Sequence, residues 1–304
     1  AIHQKRMFAL NYTIGAFTNI THDHLDYHKT FKEYIDVKKS FFDHLGPNAI
    51  ALTNADDKNG AVMLQNTQAT KYTYALKSPS DFKGKIIENE LSGLILQING
   101  TELYTQLIGE FNGYNLLAVF GIAQLLELDK LEVLTQMSTL KSVDGRFEFF
   151  KSEGNVTCIV DYAHTPDALE NVLKTILSFK KVSTKVLTIL GCGGDRDKTK
   201  RPKMAAIANS MSDQSILTSD NPRTENPDTI LEEMEAGIDS KGLMKNLTIS
   251  DRKEAIKLGI SLAKTGDILL IAGKGHEKYQ DINGTKHTFD DIAIAKELFI
   301  KMKR

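Results

Sequence analysis

The chain has 304 residues, enough for about two domains that each bury a core. With 41% hydrophobic and 25% charged residues and a formal net charge of -1, it lacks the basic excess expected of a nucleic-acid or anionic-membrane binder. Two cysteines, Cys158 and Cys192, favour neither a disulfide framework nor a zinc site. No apolar run approaches the roughly 20 residues of a membrane span, no signal peptide is visible, and a reducing cytoplasm is expected.

Residue 1 is Ala1, and no leading strand or helix precedes the first motif-bearing run, so a fragment or processed product is expected. Lys32–Leu45 reads as a helix, Ala49–Asn54 as a buried strand and Ala61–Gln65 as part of another helix. Lys83–Ile108 alternates as short antiparallel strands do, and Asn112–Leu128 is a long apolar helix. At Val143–Gly145 the helical pattern gives way to charge and glycine, which places domains at 1–143 and 144–304. Strands and helices then alternate. Val156–Val160 precedes Pro166–Phe179, where Leu169, Val172, Leu173 and Ile176 keep helical spacing. Val186–Leu190 leads through a glycine-rich loop to Pro202–Met211, and Ser215–Thr218 leads to Pro227–Gly237. Leu247–Ile249 precedes Arg252–Lys264, and Asp267–Ala272 precedes the closing helix Asp290–Met302. Repeated β-then-α order predicts an α/β fold with a mainly parallel sheet and helices on both faces.

Asp220-Asn221-Pro222-Arg223 is the most informative run. Pro222 stiffens the turn, Asp220 and Asn221 favour turn geometry, and Arg223 is a planar cation suited to a two-point grip on carboxylate or phosphate. It follows a strand, where open α/β sheets bind ligands. On these four residues alone, a surface turn that happens to contain arginine fits equally well. Thr18–His28 packs His22, His24 and His28 with Asp23 and Asp26, a density that suits a divalent cation or acid–base work. A dinuclear hydrolase of H-x-H-x-D-H type is one reading, although the spacing here is H-x-H-x-D-x-H; a structural polar loop is another. Tyr34 and Lys38 share a helix face. Gly191-Cys192-Gly193-Gly194 follows a strand but does not form G-x-G-x-x-G.

Together these runs resemble the Mur ligase family of peptidoglycan synthesis. TNITHDHLDYH followed by EYIDVK is similar to its central ATP-binding domain, and Glu110–Asn115 to its F-N-x-x-N segment. Gly145–Glu148 resembles its G-R-x-E run, and Asp161–Pro166 its D-Y-A-H-x-P loop. The implied fold is a truncated central domain followed by a Rossmann-like C-terminal domain. Three further runs resemble the diaminopimelate-adding branch: Gly191–Asp197 with Lys200-Arg201-Pro202, then D-N-P-R at 220–223 and G-K-G-H-E at 273–277. Related ligases that add glutamate to folate share the architecture, but this last pair of runs disfavours them.

The resemblance implies roles. Arg196 and Arg223 match the arginines that bind the distal carboxylate of meso-diaminopimelate, and Gly273 and Glu277 match the receivers of its distal ammonium. Asp220, Asn221 and Pro222 complete that site. Asn112 and Asn115 match the asparagines near adenine; Arg146, Asp161 and His164 lie in motifs near the nucleotide, the last two with catalytic roles. Gln4 and Arg6 align with contacts to the UDP-MurNAc dipeptide. His24 matches a metal ligand, and Lys38 the lysine whose carbamylation supplies an oxygen donor to Mg²⁺. The implied activity is ATP-dependent ligation of meso-diaminopimelate to UDP-MurNAc-L-Ala-D-Glu through an acyl phosphate, by a cytoplasmic enzyme that is monomeric at full length and uses no nucleic acid or membrane. No G-x-x-x-x-G-K-[ST] phosphate loop occurs. In the family it precedes the region where this chain begins, together with a uridine-nucleotide domain and a glutamate Mg²⁺ ligand. The chain alone is therefore expected to be inactive. The alternatives are a non-catalytic amino-acid-binding fragment and a dinuclear metallohydrolase.

Overall fold

The computed structural model describes residues 2–7, 9–21, 27–28 and 30–304. The chain divides into two compact units, 1–141 and 142–304.

In the first unit, β1 (Ile14–Phe17), β2 (Ile50–Asn54) and β3 (Thr70–Ala75) run parallel. β4 (Phe82–Glu90) joins β3 in parallel over two residue pairs, then continues antiparallel with β5 (Gly93–Ile98), which pairs β6 (Thr101–Thr105). Among the described residues, this six-stranded sheet is accompanied by the helices α1 (Phe31–Asp43), α2 (Gly60–Met63), α3 (Glu110–Leu125) and α4 (Lys130–Ser138). The Thr30 hydroxyl caps α1 by accepting from the Glu33 N–H. α3 is apolar because Leu116, Leu117 and Phe120 sink into a core with Leu52, Tyr74, Leu94 and Ile98. The antiparallel strands and α1 fall where the alternation and the helical spacing placed them. β1 corrects the expectation that no strand leads the first motif. Its four residues, IGAF, are too few to show a period, and its pairing with β2 is what makes it a strand.

In the second unit the order along the sheet is β11-β10-β9-β12-β8-β7. In chain order the elements are β7 (Glu148–Lys151), β8 (Thr157–Asp161), α5 (Pro166–Phe179), β9 (Val186–Cys192), α6 (Lys200–Met211), β10 (Gln214–Ser219), α7 (Pro227–Glu235), β11 (Asn246–Ile249), α8 (Arg252–Leu262), β12 (Ile268–Ala272), β13 (Tyr279–Ile282), β14 (Thr285–Thr288) and α9 (Asp291–Lys301). All strands of the large sheet are parallel except the edge strand β7; β13 and β14 form a separate hairpin. The runs VLTILGC and ILLIA are buried throughout, as strands covered on both faces must be. α5 starts where Thr165 caps the Ala168 N–H and Pro166 takes the first turn. β9 runs on through Gly191 and Cys192, so these belong to the strand and not to the glycine-rich loop. Both thiols are free and buried, and burial pushes Cys192 up to about 12, so neither offers a thiolate at neutral pH.

β8 and β9 follow each other in sequence, yet β12 lies between them. That rearrangement brings the carboxyl ends of β8, β9, β10 and β12 side by side, at Asp161, Cys192, Ser219 and Ala272. In doubly wound sheets this is the edge that binds ligands.

Candidate functional site in the second unit

At the end of β8 the buried Asp161 carboxylate accepts the N–H groups of Phe147 and Ala163, each at 2.7 Å. Burial pushes its pKa up, against these two N–H groups and Arg146. Three motifs meet beside it. Gly145 has φ +66°, and a Cβ there would lie 2.0 Å from the His276 nitrogen. This flat contact sets Arg146 4.5 Å from the centre of the Tyr162 ring. Tyr162 also packs on His164 at 4.6 Å and His276 at 5.0 Å. His164 is held by its own Nδ1, 3.0 Å from the Tyr162 carbonyl.

The loops after β10 and β12 form a second, more polar cluster. Lys274 is fully buried and donates to Asn221 Oδ1 at 3.0 Å; its ammonium lies 3.5 Å from Glu277 and 3.7 Å from Asp220. Asn221 Nδ2 donates to Glu277 Oε2 at 2.7 Å. Gly273 must be glycine: its φ is +116°, and a Cβ would come within 2.6 Å of Asp220 Oδ2. Arg223 sits at φ +51°, a left-handed conformation rare for arginine, held because its N–H donates to Asp281 O and its carbonyl accepts from the Asn283 N–H. Its guanidinium donates to Gly194 O at 2.5 Å, which ties it to the loop after β9. Arg196 is exposed on that loop, bonded only to the neighbouring Asp195 carbonyl at 3.1 Å among the described contacts.

The Arg196 loop is also held against the Arg223 turn by a pair of residues to which the motifs assign no role. The fully buried Arg201 donates to Glu225 at 2.8 and 3.0 Å, to Glu233 at 2.6 Å and to the Gly193 carbonyl at 3.1 Å. Glu225 in turn accepts the Asp195 N–H at 2.5 Å, and Thr224 donates its hydroxyl to the Asp195 carboxylate at 2.8 Å. Hydrogen bonds from Arg201 hold the Glu225 carboxyl down to about 2. A depressed carboxylate contributes stability above its ordinary pKa and loses it as pH falls toward the folded value. The difference in urea midpoint between the unaltered chain and Glu225→Gln is therefore expected to be largest above about pH 5 and to close toward pH 2. A gap constant over that range would show that the ion pair carries no net stability.

In the first unit, Asn112 and Asn115 stand in the first turns of α3, joined by a 3.3 Å bond, with Asn112 Nδ2 also donating to Ile108 O. Lys38 lies 5.5 Å from the Tyr34 ring centre, on the shared face that helical spacing predicted. A cavity of about 370 Å³ is lined by Gln4, His3, Tyr27, His28, Tyr34 and Lys38 among others, which brings Gln4 and Lys38 together. Arg6 is exposed and does not line it. His22, Asp23, His24 and Asp26 lie outside the described residues. Among the described residues no group of three or more His, Cys, Asp or Glu side chains could hold a metal. The unmodified Lys38 ammonium is no ligand either; only a carbamate there would offer oxygen.

Lys274 and Arg201 lie inside recognisable motifs whose spacing says nothing of their burial. Arg252 and Glu225 belong to none. Arg252 did leave a faint signal: an arginine directly after the cap Asp251 is a cation at the positive end of a helix, which needs a nearby anion.

The Mur ligase middle domain matches residues 1–123, and the Mur ligase glutamate ligase domain matches residues 145–275. A Cytophaga hutchinsonii protein named UDP-N-acetylmuramoyl-L-alanyl-D-glutamate--2,6-diaminopimelate ligase is 56% identical over 97% of this chain and 60% of its own length. Its namesake from Bacteroides thetaiotaomicron is 54% identical over 98% of this chain and 62% of its own. A solved structure of a ligase of that name is similar at a TM-score of 0.62 and 34% identity, over 100% of this chain and 63% of that one. An Acinetobacter baumannii MurF structure, similar at a TM-score of 0.71 but 16% identical over 94% of this chain and 60% of its own, shows likeness of fold alone. The chain thus spans about three-fifths of the relatives it matches, 60% and 62% of the first two. Their names support the ligase reading and neither the metallohydrolase nor the binding fragment. Matched in both units by domains of one family, and more than half identical to the ligase from Cytophaga hutchinsonii along nearly its whole length, the chain belongs to the Mur ligase family.

Proposed function

We propose that this chain carries the acceptor-selecting part of an ATP-dependent amide ligase that adds meso-diaminopimelate to UDP-MurNAc-L-Ala-D-Glu in cytoplasmic peptidoglycan precursor synthesis. The observation that carries the reading is the juxtaposition at the ends of β10 and β12. A guanidinium follows, two residues on in sequence, an asparagine bonded to a buried carboxylate–ammonium cluster. A zwitterionic amino-acid terminus needs such a fork for its carboxylate and an anion for its amine. Arg223 and Arg196 are assigned to the distal carboxylate, and Glu277 and the Gly273 backbone to the distal ammonium, with Asp220, Asn221 and Pro222 shaping the turn.

In the proposed reaction the D-Glu γ-carboxylate attacks the γ-phosphate of ATP, releasing ADP and leaving an acyl phosphate. The diaminopimelate amine then attacks the acyl carbon, and phosphate leaves from the tetrahedral intermediate. Asn112 and Asn115 would hold adenine, Arg146 and His164 would face the phosphates, and Asp161 fixes the loop that carries His164. Gln4, beside Lys38 in one cavity, would meet the dipeptide end, with Arg6 nearby in sequence. Mg²⁺, held by His24 and a carbamylated Lys38, would supply charge neutralisation at the phosphates. The division into a partial ATP/Mg-binding domain (1–143) and an acceptor-binding domain (144–304) belongs to the same proposal. Among the described residues no helix is long and apolar enough to cross a membrane.

The test is ligation by the polypeptide that includes the remaining length of its relatives, given UDP-MurNAc-L-Ala-D-Glu, ATP, Mg²⁺ and either meso-diaminopimelate or L-lysine. Tripeptide is expected with the first acceptor, and kcat/KM roughly 100-fold lower or worse with lysine. Equal use of lysine overturns the reading.

A further inference from the structure

We infer that Lys274 is a specificity-determining positioning residue, which fixes the Asn221 amide and leaves the acidic cluster with one uncompensated negative charge, the complement of a single ligand ammonium. The inference rests on the reading of Glu277 as the ammonium receiver. A fully buried lysine is costly even beside counter-charges and needs a reason.

The charge count supplies the first part of that reason. Asp220 and Glu277 are two anions, and Lys274 is one cation, 3.7 and 3.5 Å from them. Arg252 is close enough to act on both Asp220 and Glu277, but it is bonded twice to Asp291, at 2.7 and 2.8 Å, so that pair adds no net charge. Tyr162 and Tyr279 face the cluster with neutral rings; Tyr279 lies 5.7 Å from the Lys274 ammonium. One negative charge remains.

The second part is orientation. Asn221 Oδ1 accepts from Lys274 at 3.0 Å and from the Asp281 N–H at 2.9 Å. With both acceptor positions used, the NH₂ group is forced toward Glu277 and donates to Oε2 at 2.7 Å. The Lys274 ion pair also falls on Oε2, so Oε1 is left for an incoming donor. Lysine thus sets which carboxylate oxygen the ligand meets.

Without Lys274 the Asn221 amide loses a donor that fixes its turn, and Asp220 and the half-buried Glu277 keep only Arg252 nearby, already bonded to Asp291. With that amide free to turn, Glu277 no longer presents Oε1 to an ammonium in one fixed orientation. In the full-length enzyme, Lys274→Met is expected to raise the KM for meso-diaminopimelate about 10-fold or more, with kcat changed far less. The KM for 2-aminopimelate, which has hydrogen in place of the distal ammonium, is expected to match that of the unaltered enzyme. Asn221→Asp provides a second variant if the first does not fold. It sets a carboxylate where Nδ2 donated to Glu277 and is expected to give the same split between acceptors. Equal rises for both acceptors would reduce Lys274 to a structural support, and an unmoved diaminopimelate KM would likewise overturn the inference. Should the unaltered enzyme fail to prefer diaminopimelate over 2-aminopimelate, the acceptor reading itself falls.

Discussion

Arg223→Ala in the full-length ligase is expected to raise the KM for meso-diaminopimelate roughly 30- to 1,000-fold, equivalent to about 2–4 kcal/mol for a lost charge-assisted pair. The kcat should change less, because the residue is assigned to the end of the acceptor that does not react. The guanidinium is half-buried and anchored at one nitrogen by the Gly194 carbonyl, 2.5 Å away, so it is presented with little freedom left to lose on binding. Arg223→Lys keeps the charge but not the fork and should recover only a small part of the loss. The backbone offers a control. At φ +51° alanine inherits the strain that arginine bears, whereas Arg223→Gly relieves it. The glycine variant should therefore be at least as stable as the unaltered protein in urea, and as poor as the alanine variant with diaminopimelate. Recovery of the KM by glycine would mean that Arg223 matters for turn geometry and not for its charge.

That strain also marks where sequence reasoning reached and where it stopped. α5 was legible to the residue because three independent signals agree: a capping threonine, a proline in the first turn, and apolar residues at helical spacing. β9 and β12 were legible as continuous apolar runs. β3, with the sequence TKYTYA, and the hairpin β13–β14, with YQDI and TKHT, were not, since mostly polar strands are defined by their pairing partners and carry little pattern of their own. β7 and α4 escaped as well, one only four residues long and the other nine. In the site, residues carried by local motifs could be named from sequence. Their supports could not. Glu225 meets Arg201 across 24 residues and Arg252 meets Asp291 across 39, and only the sheet order brings such pairs together.

Arg252→Met is expected to destabilise the chain by about 3–5 kcal/mol, a large share of the roughly 5–15 kcal/mol that a folded domain has. Arg252 and Asp291 are both fully buried at the starts of α8 and α9. Removing the guanidinium strands an anion in the interior, and that uncompensated charge accounts for most of the cost. The double variant Arg252→Met/Asp291→Leu should therefore regain most of the lost stability, since well-packed apolar side chains often replace a buried ion pair without penalty. Function should not return with it. Besides Asp291, Arg252 donates to the carbonyls of Ser219 at 3.4 Å and Ala272 at 3.2 Å, the last residues of β10 and β12. Those residues immediately precede Asp220 and Gly273, so one side chain fixes the spacing of the two strand ends on which the cluster is built. Urea unfolding and acceptor KM measured on the same double variant separate the two roles. Stability near that of the unaltered protein with a KM for diaminopimelate still about 10-fold high is the expected pair of results, by analogy with other supports that position a site without touching ligand. If both recover together, the strand ends hold their places without Arg252, and the pair serves the fold alone.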